Sequence, residues 1–241
     1  MHQYSTCFRD IHSLSEDEIN AIATLYLCYY DGSDQSIVIS DLKKKTQILL
    51  LFHEAVLIGF TTFELYDRIW DNRLISVIYS GDTIVHHKHW GQQALAFAWI
   101  RFIGELKRLA PQKPIYWFLI VKGHRTYKYL PAFTKSFYPH WSIDRSDLKP
   151  LLDFLAEEKF GEFYDKNSGI IAYERSRGHL KSTFVSPLEK ETGKPSVQFF
   201  LERNPKYGEG DELACICDFD DTNLRPFTKR ILQECSMEKT A

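Results

Sequence analysis

A long amphipathic pattern followed closely by an uninterrupted apolar run constrains the fold of this chain more than any other feature. One apolar face of the pattern recurs at helical spacing through Leu95, Trp99, Phe102, Leu106 and Leu109. Pro111 ends this helix, since proline cannot continue one. The run Ile115–Val121 then contains only apolar residues and is too short for a typical helix. It predicts a strand that is buried on both faces.

The segment before the helix completes a strand, turn, helix, strand unit. Residues Arg73–Val85 are rich in Ile, Val and Tyr and predict a strand, with Gly81 as a bulge. A short turn containing Gly91 leads into a helix over 92–109. Such a turn leaves unpaired backbone amides at the positive end of the helix dipole, which is an anion site. One glycine does not distinguish a binding turn from an empty one.

The rest of the first half is predicted from shorter patterns. Ser15 and Glu18 form a capping box that begins a helix running to about Tyr30. Two strands follow over 47–53 and 56–66, and a further helix is predicted over 124–137, interrupted by Pro131. Beyond residue 141 the pattern predicts a helix over 147–159, strands over 169–174, 196–202 and 213–219, an exposed connection over 178–195, and a last helix.

Charge and cysteine content limit the classes of function. The 30 Lys and Arg nearly balance the 32 Asp and Glu, whereas nucleic-acid binding usually leaves a basic stripe. Five cysteines are too scattered for a disulfide framework. The amino terminus shows no export signal, and no apolar stretch reaches the length of a membrane span. We therefore expect a soluble, cytoplasmic α/β protein that binds small molecules or proteins, without nucleic acid.

The run Thr83–Leu95 (TIVHHKHWGQQAL) resembles the pyrophosphate-binding turn of the GNAT superfamily of N-acyltransferases, whose motif is Q/R-x-x-G-x-G/A. Gly91 stands at the central glycine and Lys88 where Gln or Arg is usual. Gln93 replaces the second small residue, unless Ala94 takes that place. The order of predicted elements is also similar to the family's order.

The resemblance implies an α/β (α+β) fold with a mixed, mostly antiparallel central sheet flanked by helices. A single domain over 1–241 would contain a core at about 15–141 and final strands at about 196–219. It would also contain an elaborated C-terminal region, with an insertion at about 142–195 and a helix at about 222–235. The chain is longer than a minimal core of this family. The extra residues either elaborate the structure or recognise the acceptor.

The resemblance further implies an acyl-CoA or acetyl-CoA co-substrate, with Lys88 and His89 supplying positive charge. A second reading is a donor carried as an acyl carrier protein thioester. The implied donor-binding residues are Thr83, Ile84, Val85, Lys88, His89, Trp90, Gly91, Gln92, Gln93 and Ala94. Clustered aromatics could line an acyl pocket or simply form core: Tyr79, Trp90, Phe97, Trp99, Tyr116, Trp117 and Phe118.

In the family, strands four and five separate, and an exposed backbone amide between them polarises the thioester carbonyl. That amide would come from residues 83–85. Tyr129 and Tyr127 are the candidate acids that protonate the leaving thiolate. Asp82 and Glu64 are the candidate bases that deprotonate a small-molecule or peptide amine.

Two other functions stay open: a non-catalytic module that keeps the fold and binds a ligand or protein, and an enzyme that tailors a peptide or metabolite. No metal is expected. Neighbouring histidines in a turn point apart, and Cys215 and Cys217 lack the tight spacing of a zinc knuckle.

Overall fold

The computed structural model describes residues 4–237, and their side chains through residue 232. The strands are β1 (Tyr4–Asp10), β2 (Tyr30–Asp31), β3 (Gln47–His53), β4 (Val56–Trp70), β5 (Arg73–Val85), β6 (Ile115–Val121), β7 (Tyr164–Asp165), β8 (Ile170–Ile171), β9 (His179–Leu180) and β10 (Glu212–Asp218). The helices are α1 (Glu16–Leu27), α2 (Gln35–Leu42), α3 (Ala94–Leu109), α4 (His124–Tyr127), α5 (Tyr129–Phe133), α6 (Lys149–Phe160), α7 (Ser182–Val185), α8 (Glu189–Thr192), α9 (Pro195–Arg203) and α10 (Pro226–Met237).

Eight strands form one mixed sheet in the order β1-β3-β4-β5-β6-β10-β8-β7. Strands β5 and β6 run parallel, with α3 as their crossover, and the other neighbours in this sheet are antiparallel. The fold class predicted from the sequence, a mostly antiparallel mixed sheet flanked by helices, is confirmed.

Helices cover both faces of the sheet because strand side chains alternate between the two sides. In β3, Leu49 and Leu51 pack into the core under α3, whereas Ile48 and Leu50 pack against α1 and α2 on the opposite face. Helix α6 covers a third apolar cluster beneath β5 and β6. Strand β6 contributes to two clusters, so the predicted burial of Ile115–Val121 on both faces is confirmed.

Most local patterns of the first half agree with the structure, but the helix predicted over 124–137 is instead the two short helices α4 and α5, which end at Phe133. Strands β3 and β5 have the predicted bounds, and α3 begins two residues later than predicted. The capping box is formed: Ser15 accepts from the Glu18 amide, and Glu18 accepts from the Ser15 amide. Helix α1 ends at Leu27, before Tyr30, which instead pairs with Leu180 in a small second sheet.

The prediction of a final strand over 196–202 is wrong, because this segment is helix α9. Pro195 stands in its first turn, where proline is tolerated, and Val197 and Phe200 are buried three residues apart, at helical spacing. The strand predicted over 169–174 shortens to Ile170–Ile171, and the connection over 178–195 carries β9, α7 and α8. Strand β1 and helix α2 are elements that the sequence patterns did not reveal. No helix within residues 4–237 is both long and apolar enough to cross a membrane.

Candidate active site

Strands β5 and β6 pair over part of their length and then separate. Their parallel pairing runs from Ser76 opposite Ile115 to Ser80 opposite Leu119. Beyond Ser80, β5 continues to Val85 alongside β4 alone. The sheet therefore opens between the last residues of β5 and the end of β6.

A bulge in β5 accompanies the separation. Gly81 and Asp82 lie opposite Thr62 of β4, two residues against one, and the Asp82 amide donates to the Thr62 hydroxyl at 3.2 Å. A bulge of this kind bends the strand and increases its twist. The bulge predicted at Gly81 is confirmed.

The hydrogen bonds beyond the bulge show which backbone groups face the opening. The His86 amide donates to the Ile58 carbonyl of β4 at 2.7 Å, and the Trp90 indole donates to the Val85 carbonyl at 2.8 Å. Because backbone groups alternate along a strand, Ile84 faces β4, whereas Thr83 and Val85 present their amides to the opening. Two backbone amides that face a cavity can donate hydrogen bonds to a negatively charged oxygen there.

Two cavities meet at this opening. The first, called here the turn cavity, has a volume of about 440 Å³ and is lined mainly by the ends of β5 and α4, the Trp90–Gln92 turn and the 180–191 segment. The second, called the charged cavity, has a volume of about 670 Å³ and lies between α1, α2, β4, β5 and β10. Tyr30, Thr83 and Thr126 line both cavities.

The turn cavity combines aromatic and aliphatic walls with basic side chains. The Arg125 guanidinium lies 4.6 Å from the Trp90 ring centroid and donates to the Phe184 carbonyl at 2.7 Å. Lys128 is ion-paired with Glu191, whereas Lys190 has no carboxylate partner in the described part of the chain. This combination suits a ligand with both an apolar and an anionic part.

The turn itself needs its glycine. Gly91 has a φ of 95°, a conformation that side chains other than glycine rarely adopt. A Cβ there would meet nothing within 4 Å, so the requirement is conformational. Gln92 partly caps helix α3, because its side-chain oxygen accepts a hydrogen bond from the Leu95 amide at 3.3 Å.

The charged cavity is lined by ion pairs that are largely shielded from water. Lys122 contacts Glu212 at 2.9 Å, and their side chains are 13% and 8% exposed. Lys159 contacts Glu64 at 2.9 Å and lies 4.1 Å from the Tyr79 ring centroid. Burial opposes the charged form of Lys122, but Glu212, Tyr26 and Asp82 outweigh it and raise the pKa of Lys122.

Asp82 is the unpaired carboxylate of this cavity. Its side chain makes no hydrogen bond to another described residue and no ion pair within 4 Å, although Lys45 and Lys122 lie near enough to favour its charge. Burial raises the pKa of Asp82, and the two lysines only partly offset that effect. A carboxyl group with a raised pKa, next to Thr83 at the opening, has the properties of a general base.

The two candidate tyrosines occupy different environments. Tyr129 is half-buried and lines the turn cavity, and burial raises its pKa. Tyr127 is fully buried, and its hydroxyl donates to the Pro139 carbonyl at 2.7 Å. Of the two tyrosines, only Tyr129 lines one of the two cavities.

The structure brings part of the predicted site together. The turn cavity is lined by Thr83, Ile84, Val85, Trp90, Gly91, Gln92 and Tyr129, and the charged cavity by Glu64, Asp82 and Thr83. Neither cavity is lined by Lys88, His89, Gln93, Ala94 or Tyr127. His89 instead forms a hydrogen bond with Tyr4 at 3.1 Å. Of the aromatic cluster, Trp90 and Tyr79 line cavities, whereas Phe97, Trp99, Tyr116, Trp117 and Phe118 line neither.

Sequence reasoning missed most of the charged cavity. Lys45, Arg177 and Glu212 come from distant parts of the chain and carry no local motif. Lys122 could have been found from the sequence, because it stands at a position where the GNAT superfamily usually has an asparagine. Arg125 and Lys128, two basic residues that follow Gly123, line the turn cavity.

Cys215 and Cys217 are buried in the core cluster under α3. Across the described residues, no group of three or more His, Cys, Asp or Glu side chains is arranged to hold a metal ion.

The separation of the two parallel strands and the glycine turn into α3 are those that the sequence resemblance implies, whereas the final strand that it implies over 196–202 is helix α9. The fold is GNAT-like. The chain matches no protein-family model and no curated protein.

The chain is similar to solved structures of N-acetyltransferases and of a probable N-acyltransferase. A ribosomal-protein-alanine N-acetyltransferase from Brucella melitensis biovar Abortus is 17% identical, with 47% of this chain and 77% of that chain covered, at a TM-score of 0.35. The GNAT family N-acetyltransferase YhbS from Escherichia coli, in complex with CoA, is 13% identical, covering 54% and 69%, at a TM-score of 0.36. A probable N-acyltransferase of unknown function from Enterococcus faecalis is 8% identical, covering 91% and 67%, at a TM-score of 0.41. At these values the similarities do not establish an activity.

Proposed function

We propose that the protein is an N-acyltransferase that moves an acyl group from a thioester donor to an amine. One observation carries the proposal: two chemically different cavities meet at Thr83, where β5 and β6 separate and the Thr83 and Val85 amides face the opening. A thioester entering from the turn cavity would place its carbonyl at these amides. An amine entering from the charged cavity would approach the same carbonyl from the other side.

The residues at the opening have distinct roles in the proposed reaction. Asp82 accepts a proton from the amine as its nitrogen attacks the thioester carbon. The backbone amides of Thr83 and Val85 donate to the oxyanion of the tetrahedral intermediate. Tyr129 donates a proton to the leaving thiolate as the carbon–sulfur bond breaks. The products are an amide and a free thiol.

Acyl-CoA is the donor that the turn cavity favours. Its phosphates would be attracted by Arg125, Lys128 and Lys190, and its pantetheine chain would lie along the aromatic and aliphatic wall. An acyl carrier protein presents the same pantetheine arm and is the second donor to test. The depth of the opening limits the size of the acyl group that fits there. Thiol release with donors of increasing chain length measures that limit.

One observation favours the alternative of a non-catalytic binding module. The Gln92 side chain already satisfies the Leu95 amide, so this first-turn donor of α3 is less available to a phosphate. A module of this kind would bind ligand in either cavity and release no thiol from it.

Thermal shift and thiol release with purified protein test the proposal. We expect acetyl-CoA or a longer acyl-CoA to raise the melting temperature, and amines to accelerate release of free CoA thiol. If no acyl-CoA binds and no acyl carrier protein thioester is consumed, acyl transfer is excluded. Donor binding without amine-dependent thiol release would instead support the binding module.

A matched pair of lysine variants locates the donor. Lys190→Met removes an unpaired cation from the turn cavity, and we expect it to weaken acyl-CoA binding several-fold at low salt and less at high salt. Lys43→Met removes an exposed cation that lines neither cavity and should leave binding unchanged. Equal effects of the two variants would place the donor elsewhere.

A further inference from the structure

The charged side chains that line the charged cavity indicate which class of acceptor would bind there. Its lining contains the five cations Lys44, Lys45, Lys122, Lys159 and Arg177, and the four carboxylates Asp41, Glu64, Asp82 and Glu212. The amine of an acceptor must be neutral when it attacks, so it adds no positive charge in the reactive state. A lining with one more cation than carboxylates is therefore complemented by an acceptor that carries a negative group.

Most of these charges already have a protein partner. Lys122 is paired with Glu212 and Lys159 with Glu64, each at 2.9 Å, and Lys45 lies 3.5 Å from Asp41. Two lining cations, Lys44 and Arg177, have no carboxylate partner in the described part of the chain. On the acidic side, Asp82 alone of the four has no ion pair there. The cavity thus presents unpaired groups of both signs.

Arg177 is held in a position suited to a carboxylate. Its guanidinium lies 4.1 Å from the Tyr173 ring centroid and 5.8 Å from that of Phe163. The guanidinium makes no hydrogen bond to any described residue, so its N–H groups are available. A guanidinium fixed by stacking, with a free edge, matches the two oxygens of a carboxylate better than a flexible ammonium does.

Asp82 and Thr83 mark the reacting end of the cavity, because Thr83 also lines the turn cavity. The nucleophilic amine must be there, where the thioester carbonyl would lie. Four tyrosine rings line the cavity wall: those of Tyr26, Tyr30, Tyr79 and Tyr173. Their hydroxyls make no hydrogen bond to a described residue, so they offer further donors to a polar molecule.

We propose that the acceptor is an amino acid or a similarly compact molecule that carries a carboxylate besides its amine, with the amine at Asp82 and the carboxylate at Arg177. This inference rests on the proposed acyl transfer and specifies its acceptor. The Arg177 guanidinium thereby receives a partner of opposite charge, and Asp82 receives a neutral amine whose proton it accepts. The net positive lining also favours the neutral form of the amine, because a nearby positive charge lowers the pKa of an ammonium group.

Binding of matched ligands tests the inference without requiring turnover. A panel of free amino acids is compared with the corresponding amino acid amides and decarboxylated amines, by thermal shift and calorimetry. We expect at least one amino acid to bind, with the matching amide and amine at least ten-fold weaker. The Arg177→Gln variant should lose that preference. The Arg175→Gln variant should keep it, because Arg175 is exposed on the same segment and lines neither cavity.

Each outcome shows whether or not Arg177 recognises the carboxylate of the acceptor. Equal binding of amino acids and their amides, or an unchanged preference in Arg177→Gln, overturns the inference. So does failure of the whole panel to bind. Acyl-CoA binding to the same preparation is measured separately, since it concerns the turn cavity. Acyl-CoA binding and thiol release with amines that lack a carboxylate would overturn the acceptor assignment while leaving acyl transfer in place.

Discussion

The charged cavity and the turn cavity share the end of one strand yet differ in almost every physical property. Asp82 belongs to the charged cavity, Ile84 and Val85 belong to the turn cavity, and Thr83 belongs to both. Buried ion pairs line the first cavity, whereas the second has aromatic walls and basic side chains nearer to water. A bulged strand that separates from its neighbour can therefore place two chemically different cavities against one backbone segment.

Removal of the Asp82 carboxylate should have the largest effect on catalysis, because it deletes the proposed base of the charged cavity. The Asp82→Asn variant keeps the size of the side chain but cannot accept the proton of the amine. We expect a fall in kcat/KM of roughly 10²- to 10⁴-fold, with acyl-CoA binding unchanged. Steady-state kinetics and donor titration measure the two quantities. Near-normal turnover would remove Asp82 from the mechanism.

The same variant should be slightly more stable than the parent at neutral pH. Burial raises the folded-state pKa of Asp82, so ionisation of Asp82 disfavours the folded state above its unfolded pKa of about 3.9. The melting temperature of the variant should exceed that of the parent by a margin that grows as the pH rises through the raised pKa of Asp82. The margin should vanish at pH values where Asp82 is protonated in both the folded and the unfolded state. A variant that is less stable at neutral pH would contradict this account of the carboxylate.

Two lysine substitutions compare the ion pairs of the two cavities. Lys122→Met leaves Glu212 buried without its partner, and we expect a loss of about 3 kcal/mol in the free energy of unfolding at neutral pH. The loss should be smaller at acid pH, because burial already raises the pKa of Glu212 and protonation removes the charge. Lys128→Met breaks a more exposed pair with Glu191 and should cost about 1 kcal/mol or less. Denaturant unfolding measures both. Equal losses would contradict the difference in burial.

Tyrosine variants separate the turn cavity from the core. Tyr129→Phe should lower kcat by roughly 100-fold without changing donor binding, because it removes the proposed acid. Tyr127→Phe is the control, since it deletes a buried hydrogen bond to Pro139 and should cost about 1–3 kcal/mol of stability instead. Full activity of Tyr129→Phe, measured as thiol release, would exclude the hydroxyl as the acid.

A further pH effect concerns the buried His124, which stands between the turn-cavity residues Gly123 and Arg125. Neither of its ring nitrogens has a hydrogen-bond partner within the described residues, and Nε2 lies 3.6 Å from Glu191. Burial, with Arg125 and Lys128 nearby, lowers the pKa of His124 to about 4. Protonation therefore favours the unfolded state, and stability is lost as pH falls from about 6.5 toward the folded pKa.

We expect His124 to account for a loss on the order of 2 kcal/mol between about pH 6.5 and pH 5. In His124→Gln this part of the loss should disappear, whatever the variant's stability at neutral pH. Urea unfolding at several pH values gives the slopes. Parallel curves for the parent and the variant would show that His124 does not titrate in this way.

The sequence predicted the turn cavity better than the charged one for a physical reason. Thr83, Val85 and Gly91 lie within nine residues, so a local pattern of strand, glycine turn and helix places them together. Lys122 and Glu212 meet only because β6 pairs with β10, and no local periodicity encodes that contact.

The fold shows the same division between local and distant information. The apolar patterns of β5 and α3 are local, and their predicted bounds nearly match the structure. The segment 196–202 carries apolar residues that fit a short strand as well as a helix face. Packing of Phe200 against Tyr127, with ring centroids 5.8 Å apart, is among the tertiary contacts of the helix that forms. The 178–195 connection likewise acquires its position from distant contacts, including that of Phe184 with Tyr29.

A crystal structure with a bound acyl-CoA tests the central claim most directly. The account predicts that the pantetheine chain lies in the turn cavity, between β5 and β6, with the thioester carbonyl within hydrogen-bond distance of the Thr83 or Val85 amide. Its acyl carbon should face the charged cavity and Asp82. A donor bound outside this opening, or one whose carbonyl points away from both amides, would contradict the claim.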